Sequence, residues 1–196
     1  MMTVMKRRHY NKRQDVDPKR IALSGISQGG YWVLRALAFE HRIAAGIADP
    51  GVMDVSVIFF RRLPQEMRDL FDEEKEEEFK EAMNEGLRYA GDVARQNIEW
   101  RIKPYMERNF YQLFRKVQQY NVRDVIKRIQ CPMFIADPDD EQFWPGQSQE
   151  VYEALVCPKT IVRFTSREGA NWHCEPKARG LYDQRMFDWL ATVIPK

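Results

Sequence analysis

Gly25-Ile26-Ser27-Gln28-Gly29 has the spacing G-x-S-x-G, and no other stretch of the chain has so clear a chemical use. The apolar run Ile21-Ala22-Leu23 precedes it, and Leu34, Leu37 and Ala38 follow at helical spacing. Strand, tight turn, helix is the setting in which such a serine acts as a nucleophile. A turn this sharp strains the backbone of Ser27 and lifts its hydroxyl clear of the sheet. Gly25 and Gly29 are expected to flank it because a β-carbon at either would collide with the neighbouring strand or helix. The backbone N–H of Gln28, near the start of the helix, is expected to face the oxyanion that forms when Ser27 attacks. The bland alternative is a flexible glycine-rich turn with no chemistry.

The elements that must position this serine follow from the rest of the chain. The 196 residues suit one domain, and 44% hydrophobic content is enough for a core. A net charge of +2 argues against a nucleic-acid partner. No apolar run reaches membrane-spanning length, and the basic start, Met1 to Arg13, has no apolar segment behind it as a secretory signal would. Cys131, Cys157 and Cys174 have neither zinc spacing nor a disulfide framework, so a reducing, cytoplasmic setting is expected, with no metal and no cofactor.

Residues 1–14 read as the end of a basic helix or a loose tail, with a turn at Asp15 to Pro18. After the helix that follows Ser27, Ile43 to Ala48 is an uninterrupted apolar run, the pattern of a parallel strand covered on both faces. Pro132 to Ala136 and Lys159 to Thr165 read as two further strands. Helices are expected at Ser148 to Leu155 and from about Leu181 to Ile194, the latter with Met186, Trp189, Leu190 and Val193 inward.

Residues 52–130 change character. Beyond a weak strand signal at Val55 to Phe60, apolar residues keep helical spacing: Met67, Leu70 and Phe71; Phe79, Met83, Leu87 and Ala90; Phe110, Leu113, Phe114 and Val117. A further short helix is expected at Asn121 to Ile129, capped by Asn121. The acidic run Asp72 to Glu78 reads as a solvated helix face. The region is expected to be a helical insertion, a lid.

Alternating strands and helices imply a parallel sheet with right-handed crossovers, whose ligand sits at the carboxyl ends of the strands. Ser27, the acidic turn Asp137-Pro138-Asp139-Asp140-Glu141 and His173 each follow a predicted strand, so they converge on one edge. Serine, acid and histidine in that order on a βα repeat resemble the α/β-hydrolase superfamily. The resemblance is to its prolyl-oligopeptidase-like esterases and the dihydroxypseudooxynicotine hydrolase group. The residues that carry it are Asp15 to Gly30, Cys131 to Pro145 and Gly169 to Leu190, and the match over the insertion is weak.

That resemblance implies Ser27 as nucleophile and His173 as general base. His9 and His41 match no family position. The resemblance also implies a triad acid, and several residues compete for it. The family shows a glycine after this strand and an aspartate three residues on. Asp137 takes the glycine's place, which makes Asp140 the match. Counting back from Pro145 favours Glu141, and Asp139 is a neighbour. We take Asp140 as the expected acid, because the strand end anchors the count better than a loop proline does. Cys174 reads as a packing thiol rather than a nucleophile.

The family fold has about eight strands, and its second oxyanion N–H comes from a loop ahead of the serine strand. This chain offers four strands, matching the family's last four. It is therefore expected to be an incomplete α/β-hydrolase domain, impaired in catalysis, with its serine strand at an open edge that invites pairing with a second copy. The expected function is hydrolysis of an ester or related acyl bond of a small-molecule substrate, with peptidase and carbon–carbon hydrolase as variants of it. Aromatic residues in and around the insertion (Phe59, Phe60, Trp100, Tyr105, Phe110, Tyr111) read either as an acyl pocket or as the lid's own core. The competing reading is a non-catalytic interaction module. A nucleotide-binding βαβ protein fits poorly, since Gly25 to Gly30 is not G-x-G-x-x-G.

Overall fold

The structure, a computed structural model, describes residues 15–194. The readings made for residues 1–14, His9 among them, lie outside the described residues. The chain divides into two compact units. One comprises the residues up to Asp54 and from Asn121 onward, and the other is Val55–Tyr120.

The first unit is built on a parallel sheet of four strands in the order β1-β2-β3-β4, with β1 at Ala22–Ile26, β2 at Ala45–Asp49, β3 at Met133–Pro138 and β4 at Lys159–Phe164. All neighbouring pairs are parallel. β2 is buried along its whole length, as its uninterrupted apolar sequence requires of a strand covered on both faces. Helix Gly29–Leu37 packs on β1 and β2 through Val33, Leu34 and Leu37. Helix Gln147–Ala154 covers β3 and β4. Helix Arg179–Val193 supplies Tyr182 and Met186 to a core with Ile47, Phe134, Ala136 and Phe164. Tyr182, which is absent from the inward face expected from sequence, is the larger of its two buried anchors, while Trp189 and Leu190 are partly buried against the same core.

Two side chains of helix Gln147–Ala154 hold the segment after β2. Ser148 Oγ donates to Ala136 O at 2.7 Å and accepts from Gly51 N at 3.1 Å. Gln147 Oε1 accepts from Met53 N at 2.7 Å and Asp54 N at 2.9 Å. Val52 and Met53 are thereby buried with the sheet, so the helical unit is narrower than the 52–130 read from sequence.

The second unit is helical: Val57–Phe60, Gln65–Asp72, Glu76–Tyr89, Gly91–Ile102 and Phe110–Val117. Val57–Phe60 is helix where a strand signal was read. Phe71, Phe79, Tyr111 and Phe114 form its centre, packed ring against ring with Phe60. Of the aromatic residues weighed as pocket lining, Phe59, Phe60, Tyr105, Phe110 and Tyr111 pack in this unit's own core and Trp100 is exposed. The acidic run is no single helix face. It spans the end of one helix and the first turn of the next, where Glu76, Glu77 and Glu78 suit the dipole and Glu76 accepts from Asn109 at 2.6 Å.

The helix expected at Asn121 to Ile129 is reduced to the 3-10 turn Ile126–Arg128. Asn121 instead forms a β-bridge with Asp54.

Candidate active site

Ser27 follows β1 directly and has φ 59°, a left-handed conformation that a residue with a β-carbon adopts at a cost. Ser27 N donates to Asp49 O at 2.6 Å, and Gly30 N donates to Ser27 O at 2.9 Å. The turn is therefore pinned to the end of β2 on one side and closed into the helix on the other.

Close approach explains two glycines. A β-carbon on Gly25 would lie 2.1 Å from Gly29 O and 2.7 Å from a methyl of Val33. One on Gly30 would lie 2.0 Å from Pro50 O. Gly29, expected to be the second such position, has open space where its β-carbon would stand. The helix touches the β2 loop one residue later than the motif's spacing suggests, so Gly30 carries that constraint.

His173 Nε2 lies 2.9 Å from Ser27 Oγ, and His173 Nδ1 lies 2.7 Å from Glu141 Oε2. Glu141 Oε1 accepts from Phe143 N at 2.7 Å and from Trp144 N at 3.2 Å. Both carboxylate oxygens are thus engaged, and the side chain is only 6% exposed. Phe143 meets the imidazole edge-on at 4.5 Å, with Trp144 at 5.8 Å. The ring is held by two polar partners and two aromatic neighbours.

The three consecutive acids Asp139, Asp140 and Glu141 have three different partners. Asp139 pairs with Arg163 at 2.5 Å. Asp140 Oδ2 accepts from Asn171 Nδ2 at 2.5 Å and from Ser166 Oγ at 3.4 Å, and Asp140 itself is exposed. Only Glu141 reaches His173. The expectation of Asp140 is corrected here, and strand length is the reason. β3 does not end at Ala136. Asp137 and Pro138 remain in register with Arg163 and Phe164 of β4, which moves the turn two residues along the chain. Asp139 N and Asp140 N are then bonded to Phe164 O and Asn171 O, and the extra methylene of a glutamate spans the remaining gap.

Gln28 is the N-cap residue of helix Gly29–Leu37, so its N–H belongs to the positive end of a helix dipole. Among the described residues, the only helical element ahead of β1 is the 3-10 turn Pro18–Arg20. Cys174 Sγ donates to Asp49 O at 3.5 Å. Burial, and then the neighbouring carboxyl groups, push its thiol far above the ordinary range. That is the behaviour of a packing thiol. No group of His, Cys, Asp and Glu side chains among the described residues has the arrangement of a metal site. No helix among them is long and apolar enough to cross a membrane.

A parallel sheet flanked by helices, a left-handed serine between β1 and a helix, and a histidine after β4 define the α/β-hydrolase fold. A model of the prolyl oligopeptidase family matches residues 4–90. The chain is 25% identical over 194 residues to hydrolase acrC of Aspergillus aculeatus, covering 91% of this chain and 43% of that protein. It therefore spans less than half the length of that relative. The α/β hydrolase GrgF from Penicillium sp. sh18 superposes with a TM-score of 0.64 at 19% identity, over 100% of this chain and 71% of that one. The 2,6-dihydroxy-pseudo-oxynicotine hydrolase superposes at 0.62 with 20% identity, over 99% of this chain and 46% of that one.

Proposed function

We propose that this chain carries the catalytic end of a serine hydrolase acting on an ester or related acyl bond of a small molecule, with Ser27 as nucleophile, His173 as base and Glu141 as the acid. The observation that carries the reading is the unbroken contact from Glu141 Oε2 through both ring nitrogens to Ser27 Oγ, at 2.7 and 2.9 Å. With Nδ1–H donating to Glu141, Nε2 is left to accept the serine proton. Ser27 Oγ then bonds the acyl carbon while its proton passes to Nε2. The tetrahedral oxyanion lies at the Gln28 N–H. Collapse breaks the bond to the leaving group, which takes the proton from Nε2. Water, deprotonated by the same nitrogen, releases the acid and restores Ser27. The match to prolyl oligopeptidases and to acrC, named a hydrolase, supports this reaction class.

β1 stands at the edge of the sheet among the described residues, with Ile26 exposed, and is proposed as the strand through which a second copy pairs. A lid role for the helical unit, and a cytoplasmic setting for the three free cysteines, belong to the same proposal. Hydrolysis of a p-nitrophenyl ester, with the acyl adduct located by mass spectrometry, tests it. Turnover with the adduct on Ser27 is expected. Turnover unchanged in Ser27→Ala would overturn the nucleophile assignment.

A further inference from the structure

Beside the site lie two buried carboxyl groups that the reaction above does not use. The side chains of Asp49, at the end of β2, and Glu175, two residues after His173, are both 0% exposed. One cation serves them. Arg179 Nη1 donates to Asp49 Oδ2 at 2.6 Å, to Cys174 O at 3.0 Å and to Glu175 Oε2 at 3.4 Å. Two carboxylates against one guanidinium would leave a net negative charge out of water, which is costly. The oxygens show the same imbalance, because Asp49 Oδ1 and Glu175 Oε1 each lack a donor.

A single proton removes the excess negative charge. If Glu175 carries it, Glu175 donates to Asp49 and the pair holds one negative charge against Arg179. Arg179 is nearer Asp49, so Asp49 is the carboxylate and Glu175 the acid. Burial, then the adjacent charge of Asp49 and the hydrogen bond to it, hold the Glu175 carboxyl well above the ordinary carboxylate range.

These groups hold strained backbone together. Cys174 and Glu175 have φ 59° and 44°, consecutive left-handed residues directly after His173. Such residues persist only where surrounding contacts over-determine them. Asp49 O accepts from Ser27 N, and from Cys174 Sγ at 3.5 Å, so one residue touches both the serine turn and the histidine turn.

We propose that Asp49, Glu175 and Arg179, joined by one shared proton, form a clasp that positions the His173 turn against Ser27. The inference rests on the reading of Ser27 and His173 as the reacting pair. The charged and titratable groups facing the clasp are His173, Glu141, Cys174 and Tyr182, with Asp183 at 3.8 Å from Arg179. Burial drives the Cys174 thiol and the Tyr182 phenol far upward, so both stay neutral as Glu175 titrates.

Infrared spectra and pH–rate profiles of the full chain, Glu175→Gln and Glu175→Ala test the clasp. A protonated-carboxyl band present at neutral pH, lost on alkaline titration and missing from Glu175→Gln, is expected. Glu175→Gln keeps a neutral donor toward Asp49. Its kcat should stay within about threefold of wild type, without the wild type's alkaline decline. Glu175→Ala should lose on the order of 10- to 100-fold in kcat with KM little changed, as a misplaced base does. If Glu175→Ala does not fold, the band and the Glu175→Gln profile still decide. Absence of the band, or a Glu175→Gln as impaired as Glu175→Ala, overturns the clasp. Fluorophosphonate labelling of Ser27 in the wild-type chain separates the two readings. A chain that carries the band but never labels keeps the shared proton and loses the positioning role.

Discussion

The turn after β1 and the turn after β3 both end parallel strands at the same edge of the sheet, yet different forces fix them. Backbone fixes the serine turn. Ser27 is left-handed, its N–H is tied to Asp49 O, and a β-carbon at Gly25 or Gly30 would strike main-chain carbonyl oxygens. The acidic turn is also anchored by backbone, Asp139 N to Phe164 O and Asp140 N to Asn171 O, but side chains decide its chemistry. Three consecutive acids are sorted by their partners, Asp139 to Arg163, Asp140 to Asn171 and Glu141 to His173. A turn held by its backbone tolerates few residue types and fails abruptly when they change. A turn whose side chains are sorted by their partners has a chemistry that depends on which side chain reaches.

The comparison can be broken most severely at the serine. Ser27→Ala should abolish acyl-adduct formation and lower turnover by at least about 10,000-fold, as loss of a nucleophile does in such triads. Mass spectrometry and initial rates read both. In the acidic turn the account expects unequal neighbours. Glu141→Ala should lose on the order of 1000- to 10,000-fold in kcat, whereas Asp140→Asn should stay within about threefold, because Asn171 rather than His173 is its partner. Equal losses from the two would break the sorting.

The glycines sharpen the backbone half. Gly25→Ala should cost more than about 3 kcal/mol in denaturant unfolding, above the usual range for overpacking. Gly29→Ala, with open space at its β-carbon, should stay within about 1 kcal/mol. The smallest effect expected is at Phe143. Its edge-on contact with the imidazole is of a kind worth about 0.5–1.5 kcal/mol. Phe143→Ala should therefore lower kcat by about tenfold or less.

This contrast also sets how much of the molecule is legible in its sequence. The serine turn was legible because its geometry demands particular residues at particular spacings. The four strands were legible because β2 and β3 are buried on both faces and leave uninterrupted apolar runs. The carboxylate that reaches His173, Glu141, was not. Its identity depends on where β3 ends, and Asp137 and Pro138 look like turn residues although they pair with β4. A proline inside a ladder is a stop signal that an adjacent strand can override. The glycine constraint was misassigned to Gly29 for a related reason, since contact with Pro50 is tertiary and leaves no local mark. Helices of the Val55–Tyr120 unit were visible at Phe71, Phe79 and Phe114, whose spacing follows burial. Gly91–Ile102 has no buried residue and so no period to read. Asn121 looked like a helix cap because its bridge to Asp54 pairs it with a residue far away in sequence.

The most direct test of the central claim, that Glu141, His173 and Ser27 act as one relay, is the rate of fluorophosphonate labelling at Ser27 in Glu141→Gln and Asp140→Asn measured side by side. The account predicts labelling of Asp140→Asn at the wild-type rate and of Glu141→Gln at least about 100-fold more slowly. Slow labelling of Asp140→Asn with normal labelling of Glu141→Gln would contradict it.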